Sequence, residues 1–259
     1  MNDGADAAPP HLHRTLTFAA LVAIAAVAWA FLVRGESAMT TMADDGPLGA
    51  LMRLMMRPSE PLPYFLGAAF MWVVMMIAMM TPAVIPMVAV LRGVARGPHH
   101  ERTSLLFAAG YLVAWSLFGV LAALLQLALH ARGLLAGHLL AVSAAGAGVL
   151  LLVAGIYQLT PWKTACLRHC RSPMGFFLEH WIPGDWGAVR MGVHHGISCV
   201  GCCWMLMLLM FVGGAMSVLT MALLCAFILA ERLLPPGPWV SRIPGAAMIA
   251  CGAVMIAWR

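Results

Sequence analysis

The fold class is decided by residues 63–91, which run Pro63-Tyr-Phe-Leu-Gly-Ala-Ala-Phe-Met-Trp-Val-Val-Met-Met-Ile-Ala-Met-Met-Thr-Pro-Ala-Val-Ile-Pro-Met-Val-Ala-Val-Leu91. The stretch contains no Asp, Glu, Lys or Arg. A helix needs about 20 consecutive apolar residues to cross the hydrocarbon core of a bilayer. This stretch is therefore predicted to form a transmembrane helix.

Further runs of the same character predict an all-α, polytopic helical membrane protein with about seven transmembrane helices. The chain is 63% hydrophobic and only 10% charged, and its mean hydropathy of +0.91 excludes an ordinary soluble domain. The dipeptide Gly213-Gly214 is expected to separate the fifth run from the sixth. The seven runs are 15–33, 63–91, 104–130, 134–158, 194–212, 214–233 and 242–258.

Two regions are expected along the chain. Residues 1–62 would hold an N-terminal tail, a retained anchor helix at 15–33 and an external linker, since no small-residue cleavage site follows the first apolar run. Within the linker, 51–57 could form a short interfacial helix. Residues 63–258 would form the helical membrane domain. Helices 2–4 and 5–7 form two sets of three. Each set begins with its helix of most unusual composition, the methionine-rich second or the cysteine-rich fifth, a pattern that suits an inverted 3+3 repeat.

The basic residues predict the orientation of the chain in the membrane. Counting Lys and Arg by loop places 10 of the 15 on one side of the bilayer. By the positive-inside rule, the N-terminus and the Cys-rich loop 159–193 lie in the cytoplasm and the C-terminus lies outside. Basic cytoplasmic loops also explain the pI of about 9.0, so no nucleic-acid partner is implied.

A stripe of metal-binding residue types occupies the fifth run. Counted along a helix, the steps between its members keep them on roughly one face. Thiolate, imidazole and thioether together are the ligand set of Cu(I), and thiolate with imidazole also suits Zn(II). The alternative is packing, because buried cysteine and methionine also serve as ordinary core residues. The members of this face are His195, Cys199, Cys202, Cys203, Met207 and Met210, and the neighbouring His194 is a further candidate ligand.

A second pair of thiols, Cys166 and Cys170, stands in the 159–193 loop. Their C-x-x-x-C spacing fits one helical turn, where side chains four residues apart meet. A stable disulfide is not expected on the cytoplasmic side. The positive-inside rule puts this loop beside the start of the fifth run, so all five clustered thiols are expected to converge. Cys225 and Cys251 are isolated in apolar helices and are interpreted as packing residues.

Methionines form rows on the second run, with Met75 and Met79 four residues apart. They are candidates for weak, exchangeable thioether ligands along a path across the bilayer, although packing is the commoner role of such rows. Pro82 and Pro86 interrupt the hydrogen-bond ladder of this helix and free carbonyls that a neighbour or water must satisfy. Broken helices at the bilayer midplane are a feature of transporter binding sites.

Three segments resemble a bacterial family known as predicted metal-binding integral membrane proteins. They are Trp72–Pro82, Tyr157–Pro173 and the motif Gly196-Ile-Ser-Cys-Val-Gly-Cys-Cys-Trp204. The resemblance covers about residues 60–258 and implies an inner-membrane location and metal binding. A fainter similarity links 81–86 and 199–202 to the transmembrane thiol–disulfide carriers of cytochrome c biogenesis. Those carriers have a cysteine after the first proline, where this chain has Ala83.

These features favour a protein that handles a soft transition metal, with Cu(I) preferred over Zn(II), in the lipid bilayer. A metallochaperone or a metalloenzyme under assembly would be its protein partner. The alternatives are a transmembrane thiol–disulfide carrier and a structural subunit with inert thiols. The sequence carries no phosphate loop, dinucleotide fingerprint or hydrolase constellation, so a binding or transport role is favoured over an enzyme.

Overall fold

The structure is a computed structural model that describes residues 10–41, 46, 49–50, 61–95, 100–137, 140–234 and 239–258. Within them the chain is almost entirely helical, as the sequence predicts. The interfacial helix expected at 51–57 lies outside the described residues. The helices are α1 (Pro10–Thr41), α2 (Pro61–Val94), α3 (His100–Ala131), α4 (Ala144–Gln158), α5 (Pro161–Arg171), α6 (Pro173–His180), α7 (Asp185–Leu208), α8 (Met210–Gly213), α9 (Val218–Leu233) and α10 (Trp239–Ala257), and a two-stranded hairpin, β1 (Leu135–Ala136) and β2 (Ala141–Val142), precedes α4.

Five helical segments in the described residues are long and apolar enough to cross a membrane. A sixth is obtained if α4 and α5, which meet at a bend of 66°, are counted as one broken span. Large apolar side chains on α3, such as Leu117 and Leu121, are exposed, as lipid-facing residues would be. The seven-helix count stays a prediction. The five segments are Leu16–Ala38, Pro61–Val94, His100–Ala131, Asp185–Gly213 and Trp239–Ala257.

The run at 134–158 differs from the single helix that its hydropathy predicts. Its first residues form the hairpin, in which Leu135 pairs with Val142. Gly133 and Gly137 have φ of 67° and 70°, a backbone conformation that glycine adopts without steric cost. The helix proper begins after Ser143, whose hydroxyl accepts from the amide of Gly146. Apolar character alone did not reveal this turn.

The break at Gly213-Gly214 is confirmed. The short helix α8 ends at Gly213, Gly214 has a φ of 98°, and α9 starts at Val218 after the N-cap Ser217. The resulting α9 has 16 residues, fewer than the usual membrane-spanning helix.

The helix α3 packs against both α2 and α7. Glycines bring α3 and α7 close together: a Cβ atom at Gly192 would collide with the backbone of Phe107, and one at Gly196 with Ala114. Small residues at membrane helix interfaces commonly permit such close contact. The Gly192-x-x-x-Gly196 spacing therefore has a structural role.

In α2 the helix continues through Pro82 and Pro86. Because Pro82 has no amide hydrogen, the carbonyl of Ala78 lacks its normal helical partner. Trp29 on α1 donates its indole Nε1–H to this carbonyl at 3.1 Å. The prediction that a neighbour satisfies a freed carbonyl is confirmed at this position.

The segment 159–193, expected as a loop, is largely helical. It contains α5, which starts at Pro161 after the N-cap Thr160, then α6 and the first turns of α7. On α5 the buried side chains are Lys163, Leu167 and Cys170. They are spaced four and three residues apart, so this face of α5 packs inward and carries Cys170 against α7.

Candidate metal centre

Cysteines from two helices meet in the interior of the bundle. The sulfur of Cys170 on α5 lies 3.9 Å from the sulfur of Cys202 on α7. The sulfur of Cys199 lies near this pair, because the guanidinium of Arg232 approaches the sulfurs of both Cys199 and Cys202. The side chains of all three cysteines, and that of Cys203, are buried. The prediction that the two cysteine clusters come within reach of each other is confirmed for Cys170.

The distance between Cys170 and Cys202 suits a bridging ion. Metal–thiolate bonds of about 2.3 Å place two sulfurs on one ion roughly 4 Å apart. Cys202 and Cys203 additionally point their thiols at the carbonyl of Cys199, at 3.1 and 3.0 Å. That carbonyl therefore fixes both side chains on the same side of α7.

The stripe on α7 forms one buried face, as its spacing predicts. His195, Cys199, Cys202, Cys203 and Met207 are all buried. Met207 continues the stripe one turn beyond Cys203, so the thioether follows the thiols along the helix.

Cys166 occupies the margin of the cluster. It lies one turn before Cys170 on α5 and is half-buried. Its sulfur packs against Gly201 on α7, where a Cβ atom would be 3.1 Å away. Cys166 is therefore adjacent to the α7 stripe but is less enclosed than Cys170.

The two neighbouring histidines of α7 lie in different surroundings. His195 is fully buried and stacks on the ring of Tyr111, at a centroid distance of 5.6 Å. His194 is exposed and contacts His180 on α6, with ring centroids 4.5 Å apart. The structure thus places His195 near the thiols and gives His194 a different neighbour.

Met75 and Met79 are fully buried in the apolar core on α2. Cys225 on α9 directs its sulfur at the carbonyl of Met79, at 3.5 Å. Near them, Trp72 and Phe211 join α2 to α8 with ring centroids 5.4 Å apart. These contacts are those of packing residues.

Arg232 was not anticipated as a site residue. From α9 its guanidinium donates to the sulfur of Cys199 and lies 3.8 Å from the sulfur of Cys202. Tyr111 Oη and Trp115 Nε1 on α3 approach the same Cys199 sulfur at 3.1 and 3.2 Å. A sulfur surrounded by such donors is in a setting that stabilises a thiolate, the form that binds metals. The only sequence signal was a charged residue at the end of an apolar run.

A buried ion pair stands beside the thiols. Lys163 Nζ on α5 lies 2.7 Å from each carboxylate oxygen of Glu231 on α9, and Gln158 donates to that carboxylate at 3.1 Å. Arg171 donates to the backbone carbonyl of Glu231. Ionisable groups in such surroundings are usually paired and functional in membrane proteins.

Among the described residues, no three Cys, His, Asp or Glu side chains are arranged as a preformed metal site. All seven cysteines are free. The cluster therefore offers a pair of facing thiols with a third beside them, and one of these, Cys199, is engaged by Arg232. Coordination of an ion by three thiolates would require these side chains to rearrange.

The fold and site thus define an all-helical protein with membrane-length helices around a buried thiol cluster. Residues 69–255 match the family model described as PpoB2: Copper chaperone, and the chain belongs to this family. Family membership indicates copper handling. No curated protein matches the chain, and no solved structure does.

Proposed function

We propose that this protein binds Cu(I) inside its helical bundle and hands it on to a partner protein. The observation that carries the proposal is the approach of Cys170 to Cys202 across two helices, at 3.9 Å, with the Cys199 thiol beside them. Soft thiolate ligands select Cu(I), although Zn(II) can compete for them. Membership of a copper chaperone family supports the choice of copper.

Cys170, Cys199 and Cys202 are the proposed ligands, with Cys203 and Cys166 as exchange partners at the margin. His195 supports the site from one turn before Cys199 on α7. Met207, together with Met75 and Met79, would supply weaker thioether ligands that let the ion leave. Weak ligands suit a protein that must release its cargo.

The proposed location is the bacterial inner membrane, with the N-terminus and the 159–193 segment in the cytoplasm and the C-terminus outside. The distribution of basic residues supports it. The partner would then be a metallochaperone that delivers copper or a metalloenzyme that receives it.

The test is elemental analysis of the purified, detergent-solubilised protein after exposure to Cu(I). Wild type should retain copper through gel filtration, whereas the C170S/C202S variant should not. The matched control is C225S/C251S, which removes two thiols outside the cluster and should retain copper like wild type. Equal copper content in all three proteins would contradict the proposal.

A second candidate function rests on the same pair of sulfurs. The 3.9 Å between Cys170 and Cys202 can close to an S–S bond of about 2.05 Å by side-chain movement. Closing it would release two electrons and two protons to a disulfide-bearing partner protein, as in thiol–disulfide exchange. A variant in which one of the two cysteines is replaced, C170S or C202S, cannot complete the exchange. If it is trapped in a mixed disulfide with such a partner, this function is favoured over copper binding.

A further inference from the structure

His180 and His194 form a pair of imidazoles on the outside of the thiol cluster. They come from α6 and α7, and their ring centroids are 4.5 Å apart. Both line an open cavity of about 440 Å³, whose wall also includes Trp181 and Met191. Both rings also stack on the ring of Phe176, with centroid distances of 5.0 Å for His180 and 5.7 Å for His194.

The hydrogen bonding of His180 leaves one ring nitrogen available. Its Nδ1 lies 3.2 Å from the carbonyl of Phe176. A backbone carbonyl can only accept, so Nδ1 carries the hydrogen and Nε2 presents its lone pair. Metal-binding histidines commonly have this arrangement, in which a bond from one nitrogen orients the other towards the ion.

The cavity wall carries no net formal charge when its histidines are neutral. Glu179 and Arg190 line it along with the histidines, and their formal charges cancel. Imidazole is a good ligand for copper. The sulfur of Met191, which also lines the cavity, accepts a hydrogen bond from the backbone amide of Ile182 at 3.4 Å.

His195 lies between this cavity and the thiols. Its ring is fully buried, and neither of its nitrogens has a hydrogen-bond partner within the described residues. Buried polar groups without partners are rare and need an explanation. The ring of Phe176 contacts both histidines of α7, with its centroid 5.7 Å from that of His194 and 5.3 Å from that of His195.

On the other side, His195 leads to the cluster. It stacks on Tyr111, whose hydroxyl lies 3.1 Å from the sulfur of Cys199. His195 also precedes Cys199 by four residues on the same face of α7. The buried imidazole of His195 thus lies between the His180–His194 pair and the thiols.

We propose that His180 and His194 form a loading site that receives Cu(I) and passes it, past Phe176 and through His195, to the thiol cluster. This inference rests on the proposed copper-binding function. The loading site sets how fast copper reaches the thiols, and the thiols set how tightly it is held. No electron is transferred, because copper remains Cu(I) and only exchanges imidazole for thiolate ligands.

The test measures the rate at which Cu(I) moves from a coloured Cu(I)–chelator complex to the detergent-solubilised protein. H180A/H194A should slow transfer by at least about tenfold, the lower range for loss of supporting groups at a metal site. Its final copper content should equal that of wild type. The control L178A/I197A trims exposed side chains from the same two helices and should transfer at the wild-type rate. An unchanged rate in H180A/H194A would overturn the loading site.

A second measurement separates this inference from the copper-binding function. In the C170S/C199S/C202S variant, titration with Cu(I) should show one Cu(I) ion bound weakly per protein, called the weak equivalent below. Adding H180A/H194A to that variant should abolish this weak binding. Absence of the weak equivalent would overturn the loading site even if wild type binds copper. If wild type retains no copper but the weak equivalent is present, the thiol proposal fails and the imidazole site stands. H194Q, a milder change at an exposed position, should reproduce the slow transfer.

Discussion

Arg232 on α9 donates to the sulfur of Cys199 on α7 across 33 residues of sequence. The residue before it, Glu231, binds Lys163 on α5. Arg232 and Glu231, which are adjacent at the end of α9, therefore bind α7 and α5, the two helices that carry the clustered cysteines. Through Arg232 a cation lies beside the sulfur of Cys199.

The Lys163–Glu231 ion pair should contribute to the stability of the protein as a unit, so that losing either partner alone is costly. E231Q or K163M alone leaves a buried charge without its partner, a change that costs about 3–5 kcal/mol. The K163M/E231Q double variant should lose less than the sum of the two single losses. Thermal unfolding of the purified protein in detergent measures all three.

The exposed pair Arg102–Asp185, 2.6 Å apart, provides the control for this cycle. Surface ion pairs contribute at most about 1 kcal/mol, so D185N should unfold close to wild type. Strict additivity of K163M and E231Q would show that the buried pair does not act as a unit.

Replacing Cys202 and Cys203 together with serine should abolish high-affinity copper binding while the protein remains folded. A hydroxyl has nearly the volume of a thiol but is a poor ligand for a soft ion. Both thiols are directed at the carbonyl of Cys199. Of the two single variants, C202S should lose more affinity, because the sulfur of Cys202 lies 3.9 Å from that of Cys170. Competition with a Cu(I) chelator measures the affinity. Copper binding by the double variant at wild-type affinity would refute the role of these thiols.

Much of this arrangement could be predicted from the sequence, because helix periodicity is local. The steps along 195–207 predicted the buried face of α7, and the spacing of Cys166 and Cys170 predicted a helical turn. Arg232 and Glu231 could not be placed in this way. Their partners are 33 and 68 residues distant, and no local pattern encodes such a contact. The hairpin at 135–142 was missed because its residues are as apolar as a membrane helix.

Replacing Met75 and Met79 with leucine should leave copper binding almost intact. Both side chains are fully buried, and a volume-conserving exchange of this kind usually costs less than about 1.5 kcal/mol. If the thioethers serve as exchange ligands, the variant should release copper to an acceptor chelator more slowly than wild type. A large drop in equilibrium affinity would instead make these methionines primary ligands.

The close contact between α3 and α7 should be sensitive to one added methyl group. G192A would place a Cβ atom against the backbone of Phe107, and such overpacking costs about 1–3 kcal/mol. G93A is the control, since nothing lies within 4 Å of a Cβ atom at Gly93, and it should be nearly neutral. Because α7 carries the thiols, G192A should also weaken copper retention. Equal melting temperatures for the two variants would contradict the close packing.

Two reporter fusions should resolve the number of crossings. If the N-terminus is cytoplasmic, the three crossings by α1, α2 and α3 leave the chain outside. A reporter fused after Gly184 is then cytoplasmic only if 134–158, together with α5, forms a further crossing. From the cytoplasm, α7 with α8 forms the next crossing and takes the chain outside. A reporter at the C-terminus is external only if the 16-residue α9 crosses back and α10 crosses once more. The positive-inside rule predicts a cytoplasmic reporter after Gly184 and an external one at the C-terminus. Alkaline phosphatase, active only outside, and a fluorescent protein, bright only inside, report the two sides independently. An external reporter after Gly184 would place Cys166 and the α5 helix outside the cytoplasm, and delivery of copper to the cluster would then have to begin from that side.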